Sequence, residues 1–132
     1  MEAVFHHLCI QTNNYEASVA FYQKLGFVLK EETPNFHGRA YNSWLQLGAM
    51  YIELQTGKAP LTQIVDGNQM TGVVHFCLWV PDIEAYLTQC QLPEDCFKTK
   101  AGQKIYQVMG GNLCKFIAPE GTVIEIREKR GF

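Results

Sequence analysis

The chain has 132 residues, 47% of them apolar and 18% charged, with a formal net charge of −2. That length holds one domain, or two small repeats sharing one core. The charge balance excludes the basic surface that nucleic acid or an anionic membrane would need, and no apolar run approaches the ~20 residues that span a bilayer. The opening residues, MEAVFHHLCIQT, carry Glu2 where a signal peptide has Lys or Arg, and His6 and His7 interrupt the apolar run, so a cytoplasmic location is expected. The five cysteines are odd in number and form no CxxC. They read as small buried hydrophobes kept reduced, not as a disulfide framework or a zinc knuckle.

In chain order, Val4–Thr12 reads as a strand. A helix follows in NNYEASVAFYQKLGF, with Asn13 or Asn14 as cap, Glu16 in the first turn, an apolar face of Val19, Phe21, Tyr22 and Leu25, and Gly26 as terminator. Strands are expected at about Phe27–Thr33, Ala40–Leu47 and Met50–Gln55, the last two joined in a hairpin at Gly48 and Ala49. The stretch TGKAPLTQIVDGNQMT is polar and broken by Gly and Pro, a linker over about 57–71. The order then begins again. A strand is expected at Gly72–Val80 and a helix at Pro81–Gln91, started by Pro81 or Asp82. Strands follow at Phe97–Met109, with an interruption, at Leu113–Ala118 and at Thr122–Glu128, with APEGT as the last turn. Both halves, about 1–56 and 72–132, read strand, helix, three strands, an α+β chain.

The repeat carries the chemistry. HLCIQTNNYEASVAFYQKLGF aligns with HFCLWVPDIEAYLTQCQL, which puts His75 on His7 and Cys77 on Cys9. YIELQ aligns with VIEIR, which puts Glu125 on Glu53. Alternate residues of a strand share a face. His7 therefore goes with Cys9 and Gln11, His75 with Cys77 and Trp79, Glu53 with Tyr51 and Gln55, and Glu125 with Val123 and Arg127. The flanking Ile52, Leu54, Ile124 and Ile126 are expected to pack on helices, which sends both carboxylates to the opposite face. A carboxylate in a partly buried cup needs a partner. Two neutral imidazoles and two carboxylates make a neutral N₂O₂ set for one divalent ion, and Ni, Zn, Co, Mn and Fe all suit it.

These motifs resemble the vicinal oxygen chelate superfamily, which comprises glyoxalase I, bleomycin-resistance and extradiol dioxygenase proteins, and they are most similar to glyoxalase I. The strand-one His is followed by a helix ending in FYQKLGF, and YIELQ, GVVHFCLWVPD and APEGTVIEIRE are similar to the family's other landmarks. The resemblance implies paired βαβββ modules forming a curved mixed sheet around a metal cup. His7, Glu53, His75 and Glu125 match the ligand set of glyoxalase I. It further implies proton abstraction from a 2-oxoaldehyde–thiol adduct through a metal-stabilised enediolate, with Glu125 as base and Glu53 able to share that role. The cup would be lined by Cys9, Tyr51, Cys77 and Trp79, with Phe36, His37 and Arg127 as further candidates. Two anchors for glutathione in bacterial relatives are missing: Gln11 stands where an Arg is usual, and Gly57 where an Asn is usual. Other implied readings are a thiol transferase or epimerase, or a metal-free binding protein.

Four further features enter as expectations. His6, one residue from His7, falls on the opposite strand face, a packing or surface position. His37 lies in a loop, at the surface or as a lid. Arg39 and Arg127 are candidate anion anchors or plain solvated arginines. Trp44 lines the cup or an interface. In this family two modules often pair between chains, so a homodimer is expected, with Phe5, Tyr22 or Trp44 at its interface.

Overall fold

The computed structural model describes residues 1–63 and 67–132. The expected linker lies outside them at positions 64–66. The described residues form two compact units, Met1–Thr62 and Gln63–Phe132. Among them no helix is long and apolar enough to cross a membrane.

The first unit runs β1 (His7–Thr12), α1 (Tyr15–Lys24), β2 (Val28–Phe36), β3 (Arg39–Leu47) and β4 (Met50–Thr56). Its sheet has the order β1-β4-β3-β2. β1 and β4 are parallel, and the other pairs are antiparallel. A parallel pair needs a crossover, and α1 with the β2–β3 hairpin supplies it. Ile10, Leu45, Ile52 and Leu54 are buried together with Phe21, Tyr22, Leu25 and Phe27 of the helix and its exit. Each such side chain contributes ~1.5–3 kcal/mol on burial.

The helix ends as its glycine dictates. Gly26 has φ +107°, and its N–H donates to the Gln23 carbonyl at 3.0 Å while the Phe27 N–H reaches back to the Tyr22 carbonyl at 3.1 Å. This double bond pattern is a Schellman close, and the Tyr22 and Phe27 rings pack at 5.8 Å across it. The start differs from expectation. Neither Asn13 nor Asn14 caps with its side chain. Thr12 Oγ1 accepts from the Asn14 N–H at 2.9 Å and from Ser18 Oγ at 2.9 Å. Asn13 instead clamps the far segment, donating to the Leu61 carbonyl at 2.8 Å and accepting the Leu61 N–H at 3.0 Å.

The second unit runs β5 (Phe76–Trp79), α2 (Ile83–Cys90), β6 (Phe97–Lys98), β7 (Tyr106–Val108), β8 (Gly111–Ile117) and β9 (Val123–Arg127), with short 3₁₀ turns at Gly67–Gln69 and Glu94–Cys96. The main sheet order is β5-β9-β8-β6, with β7 pairing β8. β5 and β9 are parallel, as β1 and β4 are. The expected interruption after Phe97 separates β6 from β7. Asp82 caps α2 by accepting the Ala85 N–H at 3.0 Å. The Glu128 carboxylate accepts the Ile83 N–H at 2.9 Å, which ties the helix start to the end of β9. Cys114, Phe116, Ile124 and Ile126 are buried on the helix side.

Three expectations need correction. The strand expected at Gly72–Val80 is only β5, because Val73 and Val74 precede any pairing partner and lie 82% and 42% exposed. Tyr22 is fully buried in the core of its unit and is not an interface residue. Cys90 and Cys114 are buried hydrophobes as expected, but Cys9 and Cys77 are exposed.

Candidate functional site

In unit one, β1 and β4 pair so that Cys9 lies directly across from Glu53 and His7 across from Tyr51. His7 and Glu53 therefore meet on the diagonal, His7 Nε2 to Glu53 Oε1 at 3.6 Å. In unit two Cys77 lies across from Glu125, and His75 Nε2 stands 3.7 Å from Glu125 Oε1. The same register on the same kind of strand pair thus yields the same His–Glu diagonal twice. Both spacings exceed hydrogen-bonding length. Two ligand atoms bound at ~2.1 Å to one ion lie ~3.0–3.4 Å apart, so each pair fits two corners of a cation's shell with a shift of a few tenths of an ångström. Within each unit the donors stop at this pair: among the described residues no group of three or more His, Cys, Asp or Glu is arranged to hold a metal ion.

The surroundings of the two carboxylates differ. Glu53 lies across from Trp44 of β3, and Trp44 stands edge-on to the His7 ring at 4.9 Å. Glu125 lies across from Lys115 of β8, whose Nζ is 3.9 Å from Oε1. Tyr106 of β7 is also close, and its phenol is held above its ordinary range by burial and then by the charge of Glu125. Neither Lys115 nor Tyr106 is visible in the repeat, because their approach depends on the β7–β8–β9 register. The two thiols stay protonated at neutral pH. Loss of hydration, followed by Glu53, pushes Cys9 up to about 11. Loss of hydration, followed by a bond to Glu125 and its charge, pushes Cys77 up to about 12.

The other expected lining residues divide. Tyr51 is beside the first pair. Trp79 and Arg127 lie across from each other one step beyond the second pair. Trp79 donates its indole N–H to the Glu128 carbonyl at 2.6 Å, and the Arg130 guanidinium sits 5.1 Å over its ring. Phe36 and His37 are elsewhere. β2 and β3 turn between Phe36 and Arg39, with His37 and Gly38 at φ 47° and 81°. Along β3 the level of Glu53 is Trp44, five residues and ~17 Å from Arg39. His37 is an exposed turn tip, not a neighbour of the His7–Glu53 pair.

His6 is a further correction. β1 begins at His7, so the alternation rule does not reach His6. Its ring stacks on Tyr51 at 5.2 Å and 19°, and its Nδ1 lies 2.9 Å from Nδ1 of His7.

The two departures from glutathione anchoring have structural counterparts. Arg39 Nη1 donates to Gln11 Oε1 and to the Thr56 carbonyl, both at 2.8 Å, so a guanidinium from β3 stands beside the amide at position 11. At Gly57 a Cβ would lie 2.5 Å from the Ala59 carbonyl oxygen and 2.7 Å from the Leu61 side chain. The fold-back that Asn13 clamps leaves no room there for an asparagine. Gly57→Asn is expected to cost ~1–3 kcal/mol of stability by overpacking, read in urea unfolding.

Residues 6–93 match the model of the Glyoxalase/Bleomycin resistance protein/Dioxygenase superfamily. No curated protein matches the chain. Among solved structures, a glyoxalase family protein from Enterococcus faecalis superposes with a TM-score of 0.71 at 23% identity, over 95% of this chain and 97% of that one. A mutant fosfomycin resistance protein from Listeria monocytogenes, complexed with Mn(II) and 1S,2S-dihydroxypropylphosphonic acid, gives 0.71 at 10% identity over 98% and 94%. Lactoylglutathione lyase from Agrobacterium tumefaciens gives 0.65 at 15% identity over 99% and 98%. These identities speak to the fold, which is shared nearly end to end. With more than half of its 132 residues matched by the family model, the chain belongs to the Glyoxalase/Bleomycin resistance protein/Dioxygenase superfamily.

Proposed function

We propose that the chain is a metal-dependent lyase of the glyoxalase I type, which isomerises a small 2-oxoaldehyde–thiol adduct. The His7–Glu53 pair and the His75–Glu125 pair are its proposed protein ligands for a divalent cation. The observation that carries this reading is the repeated His–Glu diagonal, at 3.6 Å and 3.7 Å. The Mn(II) in the fosfomycin resistance neighbour supports a cation on this fold.

When bound, the cation supplies Lewis acidity to the vicinal oxygens of the substrate. Glu125 takes the proton from the substrate carbon and returns it to the adjacent carbon, so the reaction consumes no redox equivalent. The Lys115 ammonium, 3.9 Å from Glu125 Oε1, faces the carboxylate that would take this proton. Glu53, beside Trp44 and without an ammonium across the strand, remains a ligand. Gln11 and the closed space at Gly57 argue for a thiol other than glutathione. The test is an assay of the metal-replete protein on methylglyoxal adducts of several thiols, glutathione included. Formation of a 2-hydroxyacyl thioester supports the reading, and no turnover with any adduct counts against it.

The Lys115–Glu125 contact at 3.9 Å also favours a second reading, a metal-free small-molecule binding protein, because it neutralises that carboxylate without a cation. In either reading we expect a homodimer. Each unit presents exposed apolar residues just before its first strand, Val4 and Phe5 in one and Val73 and Val74 in the other. Light scattering should give twice the 15.0 kDa chain mass, and a species of the chain mass at working concentration would contradict it.

A further inference from the structure

We infer that His6 is a positioning residue for His7: its Nδ1 accepts the proton carried by His7 Nδ1 and so leaves the His7 Nε2 lone pair facing Glu53. The inference rests on the reading of His7 as a metal ligand. The two Nδ1 atoms are 2.9 Å apart, so one of them carries a proton and the other a lone pair. If the proton were on His6, neutral His7 would carry its own on Nε2. That proton would point at a Glu53 oxygen 3.6 Å away, too far for a hydrogen bond, and it would block the ligand atom. Either placement makes the Nδ1–Nδ1 bond, and only the proton on His7 Nδ1 leaves Nε2 open to a cation. A ligating imidazole needs this arrangement, its second nitrogen donating to a fixed acceptor.

The acceptor is itself held. The His6 ring stacks on Tyr51 at 5.2 Å and meets the edge of Trp44 at 6.0 Å. The other half of the repeat lacks the device. The offset that relates His75 to His7 relates Val74 to His6, and valine offers no acceptor. Among the described residues, the buried Nδ1 of His75 has no hydrogen-bond partner. The two imidazoles are therefore prepared unequally, His7 by its neighbour and His75 not.

Zinc, which is diamagnetic, allows the test by ¹⁵N NMR and by competition titration. In the zinc-loaded wild-type protein, His7 should show a protonated Nδ1 protected from exchange and a scalar coupling across the hydrogen bond to His6 Nδ1. His6→Phe keeps a ring on Tyr51 and removes the acceptor. It should lose the coupling and weaken zinc binding by ~10–100-fold, with an unchanged circular dichroism spectrum. His6→Asn, whose carbonyl can accept, should recover most of the affinity. Zinc bound through His7 Nε2, with an exchanging Nδ1 proton and equal affinity in His6→Phe, would overturn the inference while leaving the metal reading standing. Coordination by His6 itself would also overturn it. A wild-type protein that binds no zinc would bring down both.

Discussion

Glu125→Gln should lower turnover by ~10²–10⁴ while leaving the protein folded, since loss of a positioned general base has that magnitude. Glutamine is isosteric and keeps the packing of a residue that is buried between Ile124 and Ile126. Its amide oxygen can still meet a cation, but it cannot hold the substrate proton. Lys115 loses an ion pair at 3.9 Å with a half-exposed ammonium, which is worth little to stability. Glu53→Gln should cost less activity, because the role proposed for Glu53 is ligation. The order of the two variants is the informative quantity, read as kcat on the adduct that the thiol screen identifies. Equal losses would assign base duty to both carboxylates. Full activity in Glu125→Gln with metal retained would remove the proton acceptor from the proposed chemistry.

The largest expected effect on stability is at Tyr22. The ring is fully buried and packs edge-on against Phe21 at 6.0 Å and Phe27 at 5.8 Å. Its carbonyl accepts the Phe27 N–H that closes α1. Truncation to alanine leaves a cavity in the first unit and removes the side-chain half of the helix stop. Aromatic-to-alanine changes at such sites cost ~3–5 kcal/mol, a large share of the ~5–15 kcal/mol that holds a typical domain. Urea unfolding of Tyr22→Ala should show that loss. A loss below ~1 kcal/mol, together with dissociation of a dimer, would return Tyr22 to an interface role.

Much of this architecture was legible in the residues, for identifiable reasons. Gly26 after an apolar helical face, Gly48–Ala49 between two strand patterns and Asp82 before Ile83 are local signals, and each did locally what its chemistry requires. The His–Glu pairs were legible because strand alternation fixes faces, and a repeat fixes which strands correspond. What stayed hidden depends on register or on where an element begins. His6 was assigned to the wrong side because β1 starts at His7, not at Val4, and an unpaired residue obeys no alternation. Val73 and Val74 extended an apolar run that the sheet does not use. Lys115 reaches Glu125 only through the β8–β9 pairing. The side-chain cap expected of Asn13 or Asn14 is not made, and Asn13 is committed instead to Leu61, 48 residues away. Nothing in the sequence near Gly57 announced that the chain folds back over it.

The central claim, that the His7–Glu53 and His75–Glu125 pairs serve as divalent-cation ligands, is tested most directly by elemental analysis of the protein expressed in metal-replete medium, combined with its melting temperature before and after metal is added. A ligand that binds only the native state must raise stability, by ~2.7 kcal/mol at a hundred times its Kd. The account predicts about one equivalent of a divalent ion per site and a melting temperature that rises with metal and falls on chelation. Less than about a tenth of an equivalent, with a melting temperature indifferent to Ni, Zn, Co, Mn and Fe, would contradict it.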